Sequence, residues 1–99
     1  MAKATLVLHE RVVLREAVFA ELRIHAVPDP VPGSSHGLKY SLALVARGAC
    51  VLRFDNERGK GDHWHGPDGV ERSFVFEGID ALLGRFWTEV DRWMRTDAS

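Results

Sequence analysis

Cysteine is nearly missing from this chain: Cys50 stands alone, which excludes an intrachain disulfide and any cysteine-rich metal centre. Its place in the apolar run "GACVLRF" suits a buried structural thiol better than a nucleophile. Long apolar runs are missing too, and none approaches the roughly 20 residues of a membrane span. The opening "MAKATLVLHE" lacks the continuous apolar stretch and small-residue cleavage site of a secretory leader, so a cytoplasmic location without membrane contact is expected. There is no excess of one charge. Thirteen Lys and Arg face 14 Asp and Glu, a formal net charge of −1. That balance argues against coating nucleic acid by charge alone, and leaves room for a site that grips one or two phosphates. Internal repeats and low-complexity tracts are absent as well.

What is present is an ordinary soluble balance, 45% hydrophobic and 27% charged over 99 residues, which reads as one domain spanning 1–99. "ATLVLHE" opens with a strand-like run, and "RVVLRE" either extends it or begins the next. From Val18 to Val27 polarity alternates: Glu21, Arg23 and His25 face one way, and Ala20, Leu22, Ile24 and Ala26 the other. "VPDPVPGSSHG", with three prolines and two glycines, is a loop. Leu38–Ala46 and Ala49–Asp55 then read as a β-hairpin turning at Arg47-Gly48. If that turn is strictly two residues, Leu44 opposes Val51, Leu42 opposes Arg53 and Tyr40 opposes Asp55, a pairing that one bulge would break. "RSFVFEG" reads as a last strand. From Gly78 the period becomes helical, with Ile79, Leu82, Leu83, Phe86, Trp87, Val90, Trp93 and Met94 on one stripe. The expected fold is α+β: a single antiparallel sheet of about five meander-like strands, roughly 4–76, covered on one face by a C-terminal helix, roughly 79–95.

Chemistry concentrates in the loop "DNERGKGDHWH", residues 55–65. Should His63 and His65 continue into an extended segment, they share a side and Trp64 points to the other. Two imidazoles beside Lys60 suit cleavage of RNA by attack of its own 2′-hydroxyl. One group takes the hydroxyl proton, another protonates the leaving oxygen, and a cation steadies the phosphoryl charge. The expected catalytic set is His63, His65, Lys60 and Asp55, the last orienting an imidazole. Tyr40, Arg58, Trp64, Asn56 and Asp62 are the expected substrate-binding set, through stacking or phosphate contact. The plainer reading is a solvated connector whose imidazoles bond only backbone, and Asn56 by itself favours a turn. A metal held by His63, His65, Asp55 and Asp62 is a third reading. The charge of Lys60 and the absence of a His-Glu-x-x-His motif weigh against it, so no cofactor and no metal is expected. His9, His25 and His36 read as surface or satisfied histidines.

The segment "FDNERGKGDHWH", preceded by "LKYSLALVARGACVLR" and an N-terminal "ATLVLHERVVL", resembles the TumE family of small bacterial toxins. The likeness covers nearly the whole chain, most specifically Asp55-Asn56 followed by Lys60-Gly61-Asp62-His63 and His65. It implies a toxin paired with a helix-turn-helix antitoxin and acting against translation through RNA, free or ribosome-associated; a homodimer is compatible with it. Phe54 stands where a tyrosine is common in such proteins, and Trp64 where an arginine is common. The second departure removes a phosphate-binding cation but supplies an indole that can stack on a base. The alternative to catalysis is a module that grips RNA or protein without cutting, with Pro28–Pro32 closing over the loop.

Overall fold

The computed structural model describes residues 4–56 and 59–97. Six strands form one antiparallel sheet in chain order: β1 (Thr5–Arg15), β2 (Val18–Ala26), β3 (Leu38–Ala46), β4 (Ala49–Asp55), β5 (His63–His65) and β6 (Glu71–Ser73). A single helix, α1 (Ile79–Thr96), follows. The expected α+β fold is therefore present, with one strand more than expected. "RVVLR" extends β1 instead of starting β2. The last expected strand is shorter than its apolar run: it begins at Glu71 and stops at Ser73, pairing back onto His63–His65. Beyond it Phe74 N–H still donates to the Asp62 carbonyl at 3.2 Å, and the chain then leaves the sheet toward α1. Among the described residues no helix is long and apolar enough to cross a membrane.

Parity along the strands sets two faces. Val18, Ala20, Leu22 and Ile24 of β2, Tyr40, Leu42, Leu44 and Ala46 of β3, and Leu52 and Phe54 of β4 are buried together. Leu82, Phe86 and Val90 of α1 close this core, and the Phe86 ring meets Phe54 edge-on at 6.0 Å. Each such side chain taken out of water contributes about 1.5–3 kcal/mol, so this face dominates stability. Among the described residues the opposite face carries no helix. It presents Glu21, Arg23 and His25 of β2, Lys39 and Ser41 of β3, Arg53 and Asp55 of β4, His63 and His65 of β5, and Glu71 of β6.

The hairpin between β3 and β4 corrects the two-residue count. Ala46 does oppose Ala49, but a bulge follows: Val45 pairs with Cys50 and Leu44 with Leu52, skipping Val51. Leu42 therefore opposes Phe54, Ser41 opposes Asp55, and Tyr40 lies on the other face from Asp55. The reason is burial. Without the bulge Arg53 would enter the core and Leu52 and Phe54 would face water, a cost far above that of one unpaired residue. The irregular end of the hairpin also leaves Cys50 exposed, against the expectation of a buried thiol.

Candidate functional site

β4 and β5 pair so that Asp55 opposes His63 and Arg53 opposes His65. β5 and β6 then place Glu71 opposite His65. All five side chains consequently rise from the open face. Lys60, on the loop before β5, reaches the same spot. Its Nζ lies 3.3 Å from Glu71 Oε1, His65 Nε2 lies 3.4 Å from that oxygen, and His63 Nε2 lies 3.7 Å from it. Two imidazoles and one ammonium thus converge on a single carboxylate oxygen. Lys60's hydrogen bond, reinforced by its charge and by both imidazoles, holds the Glu71 carboxyl below the usual carboxylate range.

The two histidines differ in access. His63 is buried, with 2% of its side chain exposed, whereas His65 is 39% exposed and Glu71 43%. His63 Nδ1 lies 2.9 Å from the Gly61 carbonyl, which only accepts, so Nδ1 carries a proton. Nε2 stands 2.8 Å from Asp55 Oδ1, close enough for strong electrostatic contact but off the line of a directed hydrogen bond. Asp55 also meets Arg53, whose Nε is 3.1 Å from Oδ2.

A cleft of about 880 Å³ opens beside these groups. Lys39, Arg53 and Lys60 bring three cations to its lining and His65 an imidazole, with Asp29 and Asp55 as anions. One wall is the proline loop, Asp29 to Pro32. That loop is fastened to the glycine loop by backbone: Gly59 N–H donates to Pro32 O at 2.7 Å. Gly33 (φ 96°) and Gly61 (φ 71°) approach so closely that a Cβ on Gly33 would fall 2.9 Å from Gly61 N. Both positions require glycine, for backbone angle and for space.

The expected substrate-contact residues scatter. Asn56 is buried and staples the hairpin end: its Oδ1 accepts from Tyr40 N–H at 3.1 Å, and its Nδ2 donates to the Leu38 carbonyl at 2.7 Å. Tyr40 borders the cleft yet is buried on the helix side, its hydroxyl donating to Asp62 Oδ1 at 2.6 Å. His36 Nδ1 accepts from Leu38 N–H, which leaves Nε2–H to meet the same Asp62 oxygen at 2.9 Å. His36 also stacks on Phe76 at 3.8 Å and is a satisfied histidine, as its sequence context suggests. Trp64 points away from both histidines and stacks on Phe54 at 5.2 Å, under the Arg72 guanidinium. Arg58 lies outside the described residues. Glu71 was not legible as a site residue because "RSFVFEG" excludes it. A hairpin count across "GPDGV" is the signal that would have found it, since that turn sets Glu71 opposite His65. Metal-ligand geometry is found at the same place: among the described residues, His63, His65 and Glu71 present ligand atoms that all lie within 4.8 Å of one another.

An open sheet face thus carries two imidazoles, a lysine and a carboxylate beside a cleft lined by three cations. The profile of the family described as Toxin TumE matches residues 2–94, and the chain belongs to that family. No curated protein and no solved structure matches it.

Proposed function

We propose that this toxin is a metal-independent endoribonuclease that blocks translation by cutting RNA through attack of its own 2′-hydroxyl. The convergence of His63 Nε2, His65 Nε2 and Lys60 Nζ on Glu71 Oε1 carries the reading. His65 and Glu71 are the proton-transfer groups with access to substrate. One takes the 2′-hydroxyl proton as that oxygen bonds to phosphorus, and the other protonates the departing 5′-oxygen, leaving a 2′,3′-cyclic phosphate and a 5′-hydroxyl. Lys60 steadies the charge on the non-bridging oxygens, and Lys39 and Arg53 hold flanking phosphates. His63 is a positioning residue. Its ring, held by Gly61 and Asp55, stands beside Glu71 and lines up that carboxylate.

The test is purified protein with total RNA in excess chelator. New ends of the cyclic-phosphate type are expected, with His65→Ala and Lys60→Ala losing about 10²–10⁴-fold in rate while keeping the native circular-dichroism spectrum. Undiminished cleavage by folded His65→Ala protein would overturn the assignment. Full growth arrest by a wild type that never cuts RNA would point instead to a module that blocks its target by binding.

Membership of a toxin family also supports a neutralising antitoxin partner, of the helix-turn-helix kind. β1 is an open sheet edge of 11 residues exposing Leu6, Val7 and Val13, a surface suited to strand addition. Val13→Lys is expected to weaken neutralisation on co-expression and to leave toxicity alone; unchanged neutralisation would move the contact elsewhere.

A further inference from the structure

Glu71 Oε1, which draws Lys60 and both imidazoles toward it, has a second chemical use. A tetrahedral zinc ion with bonds of about 2.0–2.2 Å to nitrogen and oxygen sets its ligand atoms about 3.3–3.6 Å apart. His65 Nε2 stands 3.4 Å from Glu71 Oε1, and His63 Nε2 stands 3.7 Å from it. All three ligand atoms lie within 4.8 Å of one another, so side-chain adjustment alone would complete a coordination sphere. The orientation of His63 points the same way. A metal-binding imidazole normally donates its other ring N–H to a carbonyl or carboxylate, which fixes the tautomer and turns the lone pair on the metal. The Nδ1 of His63 is so fixed, to the Gly61 carbonyl, while Nε2 is buried, lacks a directed hydrogen bond, and faces two carboxylates, Asp55 and Glu71. A buried ring nitrogen without a directed hydrogen bond, facing two carboxylates, is placed as a metal ligand would be.

We propose that His63, His65 and Glu71 form a site for one divalent transition metal of the zinc class, and that its occupation switches the toxin off. The switch rests on the acid–base reading above. A metal on Nε2 of His65 and Oε1 of Glu71 removes both proton-transfer groups at once, and displaces the Lys60 ammonium from Glu71. Metal and lysine compete for one oxygen, so Lys60 sets the affinity.

The experiment titrates chelator-treated full-length protein with Zn²⁺ against a chromophoric chelator, and with Co²⁺ followed by its visible absorption. Expected are one ion per chain, the strong absorption of four-coordinate Co²⁺, and affinity at least about tenfold weaker in Glu71→Gln and His65→Ala, in line with loss of a ligand. Both residues lie at the surface, so these variants read binding without disturbing the core. Lys60→Ala is expected to bind several-fold more tightly than wild type, the reverse of what a merely structural lysine would give. RNA cleavage by the metal-stripped protein, with the chelator removed, should stop at one equivalent of Zn²⁺. Absence of one-to-one uptake, or uptake untouched by both ligand substitutions, would overturn the site. Cleavage that needs the ion would overturn the switch and the metal-free ribonuclease together. Normal uptake with no cleavage under any condition would leave the metal site standing and remove the ribonuclease.

Discussion

Tyr40 is the only tyrosine in the chain, and its hydroxyl is committed to the Asp62 carboxylate. Burial first, then the hydrogen bond and charge of Asp62, push its ionisation well above the ordinary value of 10.0. For an acid whose folded pKa is raised, the folded state holds the proton longer than the unfolded chain, so stability falls as pH rises past that ordinary value. Alkaline titration should therefore show no tyrosinate absorbance until the fold is lost, with both signals moving together. Tyr40→Phe should remove that coupling and cost about 1–3 kcal/mol in urea unfolding, since the part-buried Asp62 Oδ1 loses one of its two partners, keeping His36. A tyrosinate signal appearing in folded protein near its ordinary value would contradict the placement. The side chain acts here as a pin between the proline loop and the glycine loop, by way of Asp62 and His36, more than as a surface for stacking bases.

At the scale of elements, the β5–β6 hairpin has the most to say about function, because it carries His63, His65 and Glu71. Its turn is tied by Asp68, which accepts from Arg72 at 2.7 Å and from Val70 N–H at 3.0 Å. The Arg72 hydrogen bond, then that from Val70, brings the Asp68 carboxyl from 3.8 down to about 2. A depressed carboxyl stabilises the fold above its unfolded value and loses that contribution as pH falls toward the folded one. Wild type and Asp68→Asn should thus differ in stability above pH 3.8 and converge near about 2. A gap that persists at the acid end would exclude the pair as its cause. The periodicities that define β2 and α1 are local, and the sequence shows both plainly. The bulge at Val51 is not local: it is a choice between burying Arg53 and burying Phe54, made only when α1 supplies Phe86 to pack against. Glu71 stayed hidden for a related reason, since a three-residue strand has too few positions to display a period. The His36–Asp62 contact joins positions 26 apart, and no pattern in either segment announces it.

For the whole molecule, a net charge of −1 means that RNA is not drawn in by a general field. On the proposed ribonuclease reading, attraction comes from Lys39, Arg53 and Lys60 in the cleft. Three phosphate contacts to a single strand predict a slope of log affinity against log salt of about −2. Binding measured by fluorescence anisotropy on an inactive His65→Ala protein checks it, and a slope near zero would remove the cleft as the RNA path. Lys39→Ala should lower affinity across all sequences and make the slope about 0.7 shallower.

The backbone contact between Gly33 and Gly61 makes partners of two segments that the chain keeps 28 positions apart, counting from 33 to 61. Beside that approach the Gly59–Pro32 hydrogen bond ties the wall of the cleft to its rim. The amide proton of Gly59, held by Pro32, should consequently exchange with deuterium at a rate that a lesion in the distant proline segment alters as strongly as one beside it.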